Sequence, residues 1–301
     1  MSSQRMKVLV IGGTGVLGSH LVAELRHRGH NPVPVGREVD LSDGRALRHL
    51  LPLDAVLAAS PAPAGLVQAA AADAGVPSVD VGLDPLPPRV RTALEGDALP
   101  HVVGAGFIPG LSGLGAVALA NEHGAERVHV HLTQSTNARV GPAGVRAMLG
   151  LLADRPPRTP TRPGLGLHHP EAVPLAGRGL TVTYSTAWDD DRTTRLLETA
   201  RRLHLIPALT ALPDRAVRLL TRHSPDRPER AALRWTAEGG EMSVVATGDY
   251  AATAAVAVTA AEQLPTAPGG VHQLWEVLTL DDITRATAHV LSWSAEGRAG
   301  M

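Results

Sequence analysis

The run Val8-Leu9-Val10-Ile11-Gly12-Gly13-Thr14-Gly15-Val16-Leu17-Gly18 decides how the chain begins to fold. Lys7–Ile11 is a short apolar stretch, which predicts a strand. Val16–Arg28 carries Leu17, Leu21, Val22 and Leu25 at helical spacing and stops at Gly29. Between them the glycines satisfy G-x-x-G-x-x-G at residues 12, 15 and 18, and G-x-G-x-x-G at residues 13, 15 and 18. Each glycine answers a separate physical demand. One makes the tight turn, one lets the backbone approach a pyrophosphate, and one lets helix and strand pack closely. A helix N-terminus then offers unpaired N–H groups and a positive dipole end to phosphate. The pattern predicts a dinucleotide site contacted by Gly12, Thr14, Gly15, Val16 and Leu17.

Working outward, the next strand-like stretch is Pro32–Val35, followed by Gly36-Arg37. An NAD site usually has an acidic residue at this point to bind the ribose 2′-hydroxyl. Here Gly36 leaves room and Arg37 can pair with a 2′-phosphate, so NADP(H) is the expected cofactor. Asp40 and Leu41 are expected beside the adenine. Further strands are expected at Ala55–Ala59, Ser78–Val81 and His101–Gly104, with helical segments at Arg45–Leu51 and Gly65–Ala74. Strand–helix alternation at this spacing argues for a parallel sheet covered on both faces. Ligands of such sheets sit outside the carboxyl ends of the strands, so Ala59 and Ser60 are expected near the ribose and nicotinamide.

Beyond residue 115 the pattern changes. Arg127–Gln134 alternates Val128, Val130 and Leu132 with His129, His131 and Thr133. Leu180–Trp188, Ala232–Ala237 and Met242–Thr247 are also half-polar, as strands with one exposed face are. Helical patterns fall at Ala143–Ala153, Arg192–Leu203, Pro213–Arg222 and Ala251–Leu264, and Asp154–Pro174 reads as a long loop. Leu274–Leu280 reads as a late strand or turn before a final helix. The expected architecture is α/β: an N-terminal Rossmann parallel sheet, an inserted α+β second domain with a mixed sheet, and a C-terminal return helix. The boundaries expected are 1–115 with 250–301 for the first domain and 116–249 for the second.

Composition narrows the chemistry. The 301 residues include 28 basic and 29 acidic side chains and no cysteine, and Lys7 is the only lysine. Without cysteine there are no disulfides, thiolate nucleophiles, Fe–S clusters or Cys-ligated zinc. A single lysine at position 7 rules out a Walker A loop, an S-x-x-K hydrolase motif and the Tyr-x-x-x-Lys pair of many short-chain dehydrogenases, since neither Tyr184 nor Tyr250 has a lysine four residues on. Near-zero net charge argues against a nucleic-acid partner. The N-terminal apolar run is too short for a signal-peptide core and the Ala-rich stretch 251–261 too short for a membrane span, so a cytoplasmic protein with no membrane partner is expected. Fourteen histidines raise a metal reading, but there is no H-E-x-x-H and no acidic residue completes a cluster with His129 and His131 or His168 and His169. No metal is expected.

Four segments in order resemble the saccharopine dehydrogenase / saccharopine reductase-like family. They are the Gly12–Gly18 turn, Val79-Asp80-Val81-Gly82-Leu83-Asp84, Gly104-Ala105-Gly106-Phe107-Ile108-Pro109-Gly110-Leu111-Ser112, and the tail Gly248-Asp249-Tyr250-Ala251-Ala252-Thr253-Ala254 with Gly269-Gly270-Val271-His272. The resemblance covers most of the chain but is patchy in the middle. It implies an NAD(P)-binding Rossmann domain with an inserted substrate domain, a late helix returning to the first domain, and often a homodimer. It also implies the interconversion of secondary amines and imines, or related substrates, by hydride transfer, and the family includes members with no known reaction.

With lysine and cysteine excluded, the proton donor for a small-molecule imine is left among Asp, Glu, His, Tyr, Ser and water. Asp84, near the carboxyl end of its strand, and Tyr184, on a half-polar strand, are the catalytic candidates. Pro109-Gly110 forces a bend before a helix from Leu111, so Gly106, Phe107 and Pro109 are expected at the cofactor, with Gly110 and Ser112 at the substrate. Asn137 and Arg139, between a strand and a helix, are expected to bind a substrate carboxylate. Two other readings stay open: a non-catalytic NADP(H)-binding regulator or scaffold, and an atypical short-chain reductase or epimerase.

Overall fold

A computed structural model of the chain describes residues 5–36, 39, 45–59, 63–153, 164–220, 223–224 and 226–296. They divide into two compact units. Unit 1 holds the described residues up to Leu114 together with Tyr250–Ala288, and unit 2 those of Gly115–Asp249 and from His289 on.

Unit 1 begins with β1 (Lys7–Ile11), α1 (Val16–His27), β2 (Asn31–Val35), α2 (Arg45–Arg48), β3 (Ala55–Ala58), α3 (Leu66–Ala74), β4 (Ser78–Asp80), α4 (Pro88–Glu95), β5 (Pro100–Val103) and α5 (Leu111–His123), which runs on into unit 2. Glycines punctuate it: α3 lies between left-handed Gly65 (φ 82°) and Gly75 (φ 71°), a conformation that costs glycine nothing. Unit 2 continues with β6 (Arg127–Gln134), α6 (Pro142–Ala153), β7 (Leu165–Leu167), α7 (Ala172–Ala176), β8 (Thr181–Trp188), α8 (Asp191–Arg202), α9 (Ile206–Thr210), α10 (Asp214–Leu220), β9 (Ala231–Ala237) and β10 (Gly240–Ala246). The chain returns to unit 1 through α11 (Asp249–Gln263), β11 (Gly270–Gln273), α12 (Leu274–Val277) and α13 (Leu280–Ala286), and ends in unit 2 with β12 (Leu291–Glu296).

The first sheet is wholly parallel, in the order β11-β5-β4-β3-β1-β2. All four residues of β3 and all but Lys7 in β1 are buried, as expected of strands covered on both faces. The chain moves from β1 to β2 on one side and then to β3 on the other, so the switch point lies between β1 and β3. α11 is tied into this unit by Arg28. Its guanidinium donates to Glu24 (2.7 Å), Glu262 (2.8 Å) and Thr259 (3.0 Å), and to the carbonyls of Ala255 (3.2 Å) and Ala286 (3.1 Å).

The second sheet is mixed, in the order β12-β10-β9-β6-β8-β7. Only β6 and β8 run parallel. The alternation read in the sequence is its burial pattern: Val128, Val130 and Leu132 are buried beside half-buried His129, His131 and Thr133.

Three expectations are corrected. The late strand is Gly270–Gln273, and Leu274–Val277 is helical under a capping box between Gln273 and Glu276. The boundary expected at 250–301 for the first domain moves: the final helix is α13, and beyond it Leu291–Glu296 pairs antiparallel with β10, so the described residues from His289 on belong to unit 2. Within the stretch expected as one loop, β7 pairs with β8 and α7 forms a short helix. Among the described residues, no helix is long and apolar enough to cross a membrane.

Candidate active site

The glycine turn stands at the carboxyl end of β1, beside the switch point. Gly12 takes φ 77°, the left-handed region in which a side chain is strained. The Gly13 N–H donates to the carbonyls of Val10 (3.1 Å) and Val35 (2.9 Å), joining the turn to the end of β2. A Cβ on Gly18 would lie 2.0 Å from the Gly12 carbonyl oxygen, so helix and turn touch backbone to backbone. The Gly15 N–H donates to the Gly12 carbonyl (2.9 Å), and Gly15 caps α1 with no side-chain hydrogen bond. The first-turn amides of Val16, Leu17 and Gly18 have no intrahelical acceptor. Thr14 and Gly15 are exposed, and Val16 and Leu17 half-exposed. The turn therefore has what a pyrophosphate needs: an exposed rim at Thr14 and Gly15 and a helix N-terminus without a side-chain cap.

Other expected cofactor residues fall around this turn. Gly36 follows β2 and is half-buried. The Ala59 N–H donates to Ile11 (2.9 Å), fastening the end of β3 to that of β1. Arg37, Asp40, Leu41 and Ser60 lie outside the described residues.

The loop after β5 packs inward. Gly106, Phe107, Pro109, Gly110 and Ser112 are all buried. The Gly106 N–H donates to Pro109 (2.7 Å), Phe107 to Thr253 Oγ1 of α11 (3.2 Å), and Ser112 to the Phe107 carbonyl (3.2 Å). A Cβ on Gly110 would lie 2.4 Å from the Gly104 carbonyl oxygen. The donors expected to meet cofactor and substrate are used to close the loop on itself and hold it to α11.

Both residues expected to bind a substrate carboxylate lie in unit 2. Asn137 is 1 % exposed, and both atoms of its amide are committed. Nδ2 donates to the carbonyls of Ser224 (3.0 Å) and Arg227 (2.8 Å), and Oδ1 accepts from the Ser224 N–H (2.7 Å). That is the chemistry of a loop tie. Arg139 is exposed, and its backbone N–H donates to Glu229 (3.4 Å).

Tyr184 is enclosed as well. It is buried on β8, its hydroxyl donates to Glu171 (3.1 Å), and its ring stacks on His169 at 4.4 Å. Burial, with the Glu171 charge beside it, pushes the phenol well above its ordinary range. A sealed phenol donating to a carboxylate is not available as a proton source for a ligand. His169 is held the other way: burial, and then the charge of His168, lower it to about 3.

Asp84 is exposed in the turn after β4. The carboxyl drawn into the fold is instead Asp80, the last residue of β4. Its Oδ1 accepts from the Gly82 N–H (2.7 Å) and its Oδ2 from Gln68 Nε2. Loss of hydration raises its pKa, the two hydrogen bonds oppose this, and the Asp84 charge reinforces it. Asp249, opening α11, is raised to about 6 by burial and by Glu229. Among the described residues, no group of three His, Asp or Glu is placed to hold a metal ion.

No protein-family model matches the chain, and no curated protein matches it. Among solved structures it is similar to homospermidine synthase from Legionella pneumophila in complex with NAD, with TM-score 0.63 and 11 % identity over 99 % of this chain and 94 % of that one. It is also similar to amine dehydrogenase from Mycobacterium smegmatis (TM-score 0.53, 12 % identity, 92 % and 97 % covered). A third is an engineered D-amino acid dehydrogenase bound to NADP+ (TM-score 0.51, 17 % identity, 94 % and 99 % covered). At these identities the likeness is one of fold: the chain shares an α/β architecture with these three proteins.

Proposed function

We propose that this chain is an NADP(H)-dependent oxidoreductase of the saccharopine dehydrogenase-like type, interconverting a small imine, or a related carbonyl compound, with the corresponding amine or alcohol. The observation that carries the proposal is the uncapped, open Gly12–Gly18 turn at the switch point of a parallel sheet. Its glycines fit a dinucleotide, since side chains at 12 and 18 would be strained or collide with the turn itself. The fold shared with an NAD-bound synthase and an NADP+-bound dehydrogenase supports the same reading.

A bound nicotinamide dinucleotide supplies or accepts hydride. The chain's own part is to hold and orient. The α1 amides and the turn backbone grip the pyrophosphate, and Gly36 leaves room for the adenosine ribose. Arg37 is assigned to the 2′-phosphate on its position after β2. The binding test is equilibrium dialysis with NADPH and NADH. NADPH should bind more tightly, and Arg37→Asp should weaken NADPH by about tenfold or more while leaving NADH nearly unchanged. Equal wild-type affinity for both defeats the NADP assignment. NADPH oxidation with a panel of cyclic imines and keto acids then tests turnover, and binding without turnover on any of them favours the regulator reading.

A further inference from the structure

At the carboxyl end of β4 a carboxyl group meets an amide whose oxygen is left over. Gln68 occupies the first turn of α3 and is 1 % exposed. Its Nε2 donates to Asp80 Oδ2, and its Oε1 is buried with no hydrogen-bond partner among the described residues. In a β-α-β unit the helix N-terminus and the end of the next strand share the sheet edge at which ligands bind. Gln68 and Asp80 meet at that edge. Among the described residues, Gly82 donates to Asp80 Oδ1, Ala105 donates to its backbone carbonyl (2.8 Å), and Asp84 is the neighbouring charge.

A primary amide satisfies a carboxyl group in either protonation state. To a carboxylate it donates through nitrogen, and from a carboxylic acid it accepts through oxygen after a half-turn of the amide. The unpartnered Oε1 is the acceptor that the second state requires. Buried polar atoms are rarely left unmade without a reason, and a proton that comes and goes is one. We infer that Asp80 is the proton store of the site, yielding its proton to the atom reduced there, with Gln68 as the positioning residue that serves both protonation states. Its environment, shifted toward the acid form, agrees with this role.

The inference rests on the oxidoreductase reading above. As the carbon of a C=N bond gains hydride from the reduced dinucleotide, the π electrons pass to nitrogen. The O–H bond of Asp80 breaks, an N–H bond forms, and the carboxylate left behind is held by Gly82 and Gln68 until water reprotonates it.

The test is an NMR titration of the full-length chain labelled with 13C-carboxyl aspartate. Two carboxyls should titrate above the ordinary aspartate range, one lost in Asp80→Asn and the other in Asp249→Asn. Gln68→Leu should move the Asp80 titration upward, and Asp84→Asn should move it downward. In turnover, Asp80→Asn should lower kcat on the order of a hundredfold or more, with NADPH affinity unchanged. The pH limb of kcat should follow the Asp80 titration and shift with it in Gln68→Leu. An Asp80 that titrates in the ordinary range, or that ignores Gln68→Leu, overturns the inference. Failure of wild-type chain to bind NADPH by dialysis, with Asp80 raised and dependent on Gln68, overturns the oxidoreductase reading and leaves the proton-holding pair standing.

Discussion

β1 and β3 of the first sheet are buried along almost their whole length, while β6 and β9 of the second alternate over most of theirs between buried and more exposed positions. The first pattern leaves no sheet face for chemistry, so any site must form at the carboxyl edge, where loops leave the strands. The second leaves a polar face. On it His129 bonds Thr183 (2.9 Å) and Ser185 (2.8 Å), and His131 bonds Ser185 (2.8 Å). Polar residues there hold one another; at the edge of the first sheet the turn amides of α1 and Gln68 Oε1 do not have such partners. A high density of polar side chains is therefore a poor guide to the site in this chain, and uncommitted donors and acceptors are a better one.

Each unit has a glycine pressed against its neighbour, which gives the sharpest way to break the comparison. A Cβ on Gly18 would meet backbone of residues 12 and 13 at 2.0–2.7 Å, and a Cβ on Gly115 would meet the Trp235 ring at 2.4 Å. Backbone that is itself hydrogen-bonded cannot step aside, whereas a ring can tilt. Gly18→Ala is expected to cost about 3 kcal/mol or more and to abolish dinucleotide binding, and Gly115→Ala about 1–3 kcal/mol. Urea unfolding with a parallel NADPH dialysis checks both. A Gly18→Ala chain as stable as wild type, still binding NADPH, would remove the structural basis given to the turn.

Asn137 tests the other side of the contrast. Asn137→Ala leaves the Ser224 N–H and the carbonyls of Ser224 and Arg227 without their partner. The expected loss is about 2–3 kcal/mol of stability, with KM for substrate unchanged. A raised KM at undiminished stability would return Asn137 to the substrate site.

Local signals in the sequence carry the fold well. The strand, turn and helix of residues 7–27 sit within a few residues of one another, and each glycine acts on its near neighbours. The alternation of Arg127–Gln134 likewise states its own burial. Signals that depend on distant partners are not legible. Leu291 and Trp293 alternate with serines, yet only pairing with β10 makes that segment a strand of the second sheet. Asp80 reads as one more alternating residue until Gln68, twelve positions earlier on α3, is brought against it. Asn137 and Tyr184 read as ligand groups because their partners at 224, 227 and 171 lie outside any local window.

The smallest expected effect concerns pH, and it separates two buried groups of opposite sign. His169 has a folded pKa of about 3 against an ordinary value of 6.5. Between those values the unfolded chain binds more protons, so its contribution is fully present above pH 6.5 and falls as the pH falls toward 3. By pH 5 the loss is about 2 kcal/mol. Asp249 works against it: its folded pKa, about 6, exceeds the ordinary 3.8, so the folded chain binds more protons across that window and gains stability as the pH falls through 6. The two partly cancel in the wild type, which makes the difference between two chains the informative quantity. His169→Phe keeps a ring against Tyr184 and removes a side chain whose two nitrogens are buried without hydrogen bonds. Urea unfolding at pH 7.5 and at pH 5 should show His169→Phe gaining about 2 kcal/mol on wild type as the solution is acidified. Parallel losses in both chains would mean that His169 titrates normally, and that the cluster of His169, Glu171 and Tyr184 is open to water rather than sealed.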